Sequence, residues 1–432
     1  MNILVTGATG FVASQIVTDL LIAGSTVTCC VRNTANAKRL FPTASVIACN
    51  FIKDNSSADW IFRLHNIDVV INCVGILYHP NKKNIWAVHH DTPRALFDAS
   101  VKVGVKKIIQ ISALGVDKAD VDYATSKKAA DDYLLSLPIK SVVLRPSLVY
   151  GRGSYGGTSL FRGMVGLPWI MPVPGKGLQE FQPIHVQDLS KAILKLIDKT
   201  DHPKVVLTAV GPKRINLRDI FTKLRAWLGF EKARFMFVPF SLIKMGTWFG
   251  NLLPNSSMNT TSYKMLIQNN IASGSDAKLF FNEIGFVPRT FTEGLYSQPS
   301  TVQDHWHARL YFLKPLLQVS IAFVWIFSAI CSVFVFPKMS SYALLEQIGV
   351  SQFWQPVVLY SVSALDAFLG FALLCGYQLK KICALQIAFI IFYSLILSWS
   401  LPYMWFEPFA PLAKNIPLIV ATLVFLALES DR

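Results

Sequence analysis

The segment Thr6-Gly7-Ala8-Thr9-Gly10-Phe11-Val12-Ala13 leaves this chain the fewest choices. It follows a short apolar run, Ile3–Val5, and precedes an apolar-periodic stretch from about Phe11 to Ala23. It therefore joins a buried strand to a helix. Gly7 permits a tight turn, Gly10 lets backbone approach a ligand, and Ala13 is small enough for the helix to pack on a sheet. A helix that opens there presents free N–H groups and a positive dipole end, which suits a pyrophosphate. In this strand–turn–helix context the segment predicts a dinucleotide site, with Gly7, Thr9, Gly10, Phe11 and Val12 lining it. The plainer alternative is a structural tight turn.

The rest of the first third supports that frame. Thr26–Val31, Val46–Cys49, Asp68–Cys73, Lys107–Ser112 and Ser141–Leu144 read as further short apolar strands. Helical stretches such as Pro93–Val103 and Ser126–Leu137 fall between them. Alternation of this kind predicts an α/β Rossmann fold, a doubly wound parallel sheet covered on both faces. Beyond Tyr150 comes a Gly- and Pro-rich stretch, Gly151–Gly177, of the type that covers a site. Residues 151–290 read as a small substrate subdomain that completes a domain of 1–290. Residues 291–310 are polar and read as a linker.

Residues 311–432 have a different character. Overall 52% of the chain is hydrophobic, too much for an ordinary soluble enzyme, and the excess is concentrated here. Four apolar runs, about Phe312–Phe336, Phe353–Cys375, Ile382–Leu401 and Pro411–Leu428, approach or exceed the ~20 residues of a bilayer-spanning helix. The fourth contains Lys414, which would snorkel to the interface. An all-α transmembrane four-helix domain is expected; the alternative is a soluble bundle of buried helices. The formal net charge is +15, and the tail's six Lys/Arg and five Asp/Glu leave nearly all of it on residues 1–310. A basic domain beside a membrane suits an anionic inner leaflet. No basic run interleaved with aromatics favours nucleic acid. No signal peptide precedes the first strand, so the first domain is expected in the cytoplasm, at the inner or plasma membrane. Lys380 and Lys381, between the second and third spans, then lie on the same side.

Two further features refine the chemistry. NAD sites usually place a carboxylate at the end of the second strand for the ribose 2′-hydroxyl, whereas an arginine there accommodates a 2′-phosphate. Here Arg32 follows Val31, which favours NADP(H) over NAD; as a solvated loop cation it would leave the choice open. Second, Tyr123 and Lys127 are four apart and share one helix face. A nearby ammonium is expected to lower the pKa of a phenol, ordinarily near ~10. With Ser112 at the end of the fifth strand, these are the parts for hydride transfer at a carbon–oxygen bond. Tyr123 would shuttle the proton, Ser112 polarise the oxygen and Lys127 hold the nicotinamide ribose.

These pieces resemble the short-chain dehydrogenase/reductase superfamily in its extended or atypical branch. They are Thr6–Ala13, Asn72-Cys73-Val74-Gly75, Ser112, Tyr123 with Lys127, Leu144-Arg145-Pro146-Ser147 and Pro183-Ile184-His185-Val186-Gln187-Asp188. Asn72–Leu77 and Ser112–Gly115 look most like the branch containing the nucleotide-binding accessory subunit of respiratory complex I. The resemblance implies cofactor contacts from Asn50, Phe51, Cys73, Val74, Gly75 and Pro146 as well. The family often places an aspartate for the adenine where Asn50 stands, with Asp54 nearby. The tail, with Ala364-Leu365-Asp366 in its second run, is similar to DoxX-like four-helix membrane domains.

Several other residues carry two readings. By resemblance His185 shapes the rim of the site; it also suits a structural role. Lys176 would meet a phosphate or simply sit in solvent. Asp366 suits a proton or quinone contact, or an interhelical hydrogen bond. No Cys or His cluster has metal-ligand spacing, so no metal is expected. Phe235–Leu253 and Pro168–Pro172 are apolar and aromatic, and read as a greasy substrate entrance or a surface resting on the bilayer. The combined expectation is a membrane-anchored NAD(P)-dependent oxidoreductase or epimerase acting on a quinone, isoprenoid or lipid-linked substrate. The alternatives are a non-catalytic NADP(H)-binding module for redox sensing or complex assembly, and a nucleotide-sugar epimerase or dehydratase. The oligomeric state is left open.

Overall fold

The computed structural model describes residues 1–199, 204–250 and 259–429. Its centre is a seven-stranded, all-parallel sheet. The strands are β1 (Asn2–Thr6), β2 (Thr26–Val31), β3 (Ser45–Ala48), β4 (Val69–Asn72), β5 (Lys107–Ile111), β6 (Lys140–Pro146) and β7 (Lys204–Ala209). Their order is β7-β6-β5-β4-β1-β2-β3. The order reverses between β1 and β4, and in such sheets a crevice opens at the carboxyl ends of those strands. Ile3, Val5, Ile71 and Ile109 bury one face against helix α1 (Phe11–Ile22), and Leu4, Val70 and Ile108 bury the other against Leu96 and Phe97. Both faces being covered explains why these strands are continuously apolar rather than alternating.

The site helix, α2, runs Asp122–Ser136, four residues earlier than the apolar period indicates, and so takes Tyr123 into its first turn. β7 was not read from the sequence. It pairs with β6 in register Val205↔Val142 and Leu207↔Leu144. Helix α3 (Val186–Asp198) is held at its C-terminal end by Lys107, whose ammonium donates to the carbonyls of Leu196 at 2.7 Å, Ile197 at 3.2 Å, and Lys199. A cation there satisfies carbonyls that lack a helical partner.

The segment 291–310 corrects the expectation of a linker. Phe291, Leu295 and Ala308 are buried in a cluster with Tyr150, Phe161, Phe221 and Trp227. A capping box, Thr290 with Glu293, opens a short helix, Phe291–Tyr296, and the Trp227 indole donates to the Gln298 carbonyl at 2.8 Å. The polar composition here is that of the exposed face of a folded segment. The chain divides into units of Met1–Ala308 and Arg309–Arg432.

Among the described residues, three helices are long and apolar enough to cross a membrane: Val302–Val335, Gln355–Leu374 and Leu379–Ser400. The fourth helix, Asn415–Leu428, has only 14 residues, or ~21 Å of rise against ~30 Å of hydrocarbon. Lys414 lies just before it, not within it, with its ammonium 5.8 Å from the Phe409 ring centre. Asp366 is buried and accepts from the Ser328 hydroxyl at 3.4 Å, so the interhelical hydrogen bond exists.

Candidate dinucleotide and reactive site

The loop after β1 has the geometry its sequence predicts. Gly7 has φ +64°, and a Cβ placed on it would lie 3.0 Å from Val74 Cγ2. Its N–H donates to the Cys30 carbonyl at 2.9 Å, and the Gly10 N–H donates back to the Gly7 carbonyl at 2.8 Å. Gly10 caps α1, and no side-chain oxygen serves the N–H groups of the first turn. Thr9, Phe11 and Val12 are half-buried around this opening, while Ala13 is packed into the core. A backbone cradle that a Cβ would fill, ending on unserved helix N–H groups, fits a pyrophosphate.

Beneath the loop, side chains tie three strand ends together. The Thr6 hydroxyl donates to Asn72 Oδ1 at 2.6 Å, and Asn72 Nδ2 donates to Gln110 Oε1 at 2.7 Å. The Cys73 N–H donates to the Thr6 hydroxyl at 3.1 Å. Thr6, Asn72 and Gln110 are direct register partners on β1, β4 and β5. Val74 and Gly75 continue from β4, and Pro146 ends β6, where its carbonyl accepts from the Leu114 N–H at 2.9 Å. Burial pushes the Cys73 thiol up to about 12, so it stays a neutral thiol.

The expected adenine contacts look inward instead. Asn50 Oδ1 accepts from its own loop, the Ile52 N–H, at 3.0 Å. Asp54 is engaged by the Asn50 N–H at 2.8 Å and by Arg63 at 2.7 Å. The Phe51 ring is buried with its centre 5.5 Å from the Trp60 ring, so its side chain is core rather than site. Arg32 is exposed at the end of β2, with no carboxylate beside it in sequence, and Asn33 caps the following helix.

At the reactive end, Tyr123, Lys127 and Asp131 recur every four residues along α2. The Lys127 ammonium donates to the Ile111 carbonyl at 3.0 Å, and a Cβ on Gly75 would lie 3.4 Å from its Nζ. Ser112 differs from expectation: its hydroxyl donates to Asp131 at 2.7 Å, and Arg145 donates to the same oxygen at 3.2 Å. The expected lowering of the Tyr123 pKa is also overturned. Burial, reinforced by the Asp131 charge, pushes the phenol up to about 12. The Lys127 Nζ lies 5.8 Å from the ring centre, and burial holds its own pKa below the usual lysine range.

His89 belongs to this cluster and was not read from the sequence. It is buried, its Nε2 accepts from the Ile76 N–H at 3.1 Å, and its Nδ1 faces the Ser126 hydroxyl at 3.1 Å. Its ring meets Tyr123 edge-on at 5.3 Å. Burial, and then the Lys127 charge, keep it neutral, well below the usual histidine range. His185 takes the structural role. It caps α3 and faces Arg289, which is paired with Asp188 at 2.9 Å. Burial, and then Arg289, bring it down to about 4. Lys176 is exposed in its loop.

The sheet order and the glycine loop define a Rossmann-like domain, with Tyr123 and Lys127 on one helix face at its crevice. Residues 3–209 match the model of the NAD dependent epimerase/dehydratase family, and residues 322–423 match that of the DoxX-like family. The chain is 25% identical over 256 residues to "NADH dehydrogenase [ubiquinone] 1 alpha subcomplex subunit 9, mitochondrial" of Rattus norvegicus, covering 57% of this chain and 65% of the relative. The chain thus spans somewhat less than two thirds of that relative's length. The UDP-glucose 4-epimerase of Thermotoga maritima, solved with UDP-glucose, shares the fold with TM-score 0.54 at 20% identity, over 73% of this chain and 100% of that one. The dTDP-glucose 4,6-dehydratase of Bacillus anthracis, solved with NAD, superposes with TM-score 0.54 at 20% identity, over 73% of this chain and 99% of that one.

Proposed function

We propose that this chain is a membrane-anchored NAD(P)-dependent oxidoreductase or epimerase. Its substrate would be membrane-associated: a quinone, an isoprenoid or a lipid-linked molecule. The carrying observation is the Tyr123–Lys127 pair on one face of α2, Tyr123 half-buried and Lys127 buried against Gly75 and the end of β5. The apolar helices supply the reason for a membrane-associated substrate. The loop Gly7–Val12 would hold the pyrophosphate, and Lys127 the nicotinamide ribose. When bound, a nicotinamide cofactor supplies or accepts the hydride. Tyr123, which retains its proton at neutral pH, is set to donate it to a substrate oxygen; Lys127 and the Asp131 charge then fix how readily it is regained. Ser112 would polarise the same oxygen only after turning from Asp131. Arg32 supports NADP(H), with NAD as the alternative. The basic first unit supports a cytoplasmic position against an anionic leaflet.

The second reading is a nucleotide-binding module without turnover. It is favoured by the pairing of Ser112 with Asp131 and of Lys127 with the Ile111 carbonyl, which leaves both groups engaged. A nucleotide-sugar epimerase or dehydratase is supported by the shared fold and by the family model matched over residues 3–209. The deciding experiment isolates the full chain in detergent, identifies the retained nucleotide and any lipid by mass analysis, and repeats this with Tyr123→Phe. The enzyme reading expects nucleotide retained and turnover of the identified substrate lowered by roughly 10²–10⁴-fold. Unchanged turnover in the variant would overturn the assignment of Tyr123.

A further inference from the structure

Among the described residues, the first unit carries an apolar surface that its own fold leaves open. Strand Ile170–Pro174 pairs in parallel with strand Arg234–Val238, and the Arg234 N–H donates to the Trp169 carbonyl at 2.9 Å. The pairing brings Trp169, 83% exposed, beside an edge strand where Phe237 is 50% and Met236 44% exposed. The next helix, Phe240–Gly250, adds Leu242, Met245 and Trp248 on one face, at 53%, 61% and 63% exposure. Residues 251–253 of the apolar stretch read from the sequence lie outside the described residues. A hydrophobic patch of this extent is uncommon on a surface that stays in water.

What surrounds the patch indicates what covers it. Within residues 168–178 and 231–248 the ionisable side chains are Lys176, Lys232, Arg234 and Lys244 against a single acid, Glu231. All five are exposed. Arg218 lies over the rings of Phe235 and Phe237 at 5.1 and 5.6 Å, adding a further cation at the edge. Two tryptophans, aliphatic and thioether side chains, and a rim of long basic chains form the composition of a surface seated in a headgroup layer. There the rings sit at the interface, and Lys and Arg reach the phosphates. The same chain carries helices apolar enough to span a bilayer, so a lipid surface is always at hand.

We propose that the Trp169–Ile170 and Met236–Trp248 surface is a second membrane contact: it lies in the interfacial layer of an anionic bilayer without crossing it. The proposal rests on the membrane anchoring and is independent of any catalytic role for Tyr123. The contact would bring the soluble unit down onto the leaflet, where a lipid-soluble substrate need not leave the membrane to reach it.

The test uses the full chain in lipid nanodiscs, with Cys375→Ser removing the exposed native thiol. A nitroxide is placed at Met245→Cys and, as control, at the exposed position Lys278→Cys. Collision with oxygen, which partitions into lipid, is compared with collision with a water-soluble nickel chelate. In discs containing phosphatidylglycerol, the oxygen-to-chelate ratio at 245 should exceed that at 278 several-fold. Adding Arg234→Glu and Lys244→Glu should reduce that ratio in these discs more than in phosphatidylcholine discs. Equal chelate access at 245 and 278 in phosphatidylglycerol discs overturns the proposal. So does shielding of 245 from both reagents, which would mean that protein covers the patch, whether another part of this chain or a second copy.

Discussion

The two ends of the crevice are made of different material. The glycine-loop end is backbone: Gly7, Gly10 and the first turn of α1, with no side chain serving its N–H groups. The other end is side chain: Lys127, Asp131, Ser112 and His89 are buried and Tyr123 and Arg145 half-buried, most of them already hydrogen-bonded to one another or to backbone. A ligand can enter the first end without breaking anything. At the second it must compete with contacts the protein has already made. Binding and chemistry are therefore expected to separate under mutation.

The largest effect expected is on stability, at the side-chain end. Asp131→Ala leaves Ser112 without its acceptor and Arg145 with Asp117 alone, and removing one partner of a buried ion pair puts the cost toward the lower end of ~3–5 kcal/mol. The melting temperature of the full chain in detergent should fall by roughly 10 °C. An unchanged melting temperature would break the comparison, because the cluster would then not be part of the core. Gly7→Val acts at the backbone end. A side chain there meets Val74 and must hold φ +64°, a strain on the order of 1–3 kcal/mol. Titration calorimetry should show nucleotide affinity lowered by up to roughly a hundredfold.

His185 sharpens the contrast by pH. Its folded pKa of about 4 lies below the ordinary 6.5, so the folded state binds fewer protons than the unfolded one. Its stabilising contribution is complete above about 6.5 and is lost as pH falls towards 4. That amounts to about 2 kcal/mol between pH 7.5 and pH 5. His185→Gln should flatten that part of the stability profile. The smallest effect belongs to Arg32→Ser, an exposed cation. It should lower the preference for NADP(H) over NAD(H) by about fivefold or less, since exposed ion pairs contribute ~1 kcal/mol at most. An unchanged preference would make Arg32 only a loop cation.

Legibility followed the same division. The glycine loop is local: its turn, strand and helix lie within a few residues, so the sequence shows it directly. The spacing of Tyr123 and Lys127 is equally local, and Asp131 continued their period in plain view. What Asp131 does was hidden, because its partners Ser112 and Arg145 lie 19 and 14 residues away and only the fold brings them in. His89 had no signal of its own; it arrives from another helix, 37 residues from Ser126. Asn50 and Phe51 were read by analogy, yet one holds its own loop and the other fills the core. The segment after Thr290 looked like a linker because a few buried residues, Phe291, Leu295 and Ala308, anchor an otherwise polar stretch.

The Thr6–Asn72–Gln110 ladder has a mechanical consequence. It fastens the strand bearing the glycine loop to the strand that leads into Ser112, at the lip of the crevice. The floor of the site is thus riveted, and its two ends keep a fixed spacing. Any closure over a nucleotide is then expected from the loops around the crevice rather than from the strands spreading or drawing together. Amide hydrogens at these strand tips should then be among the last to exchange, with nucleotide bound or absent.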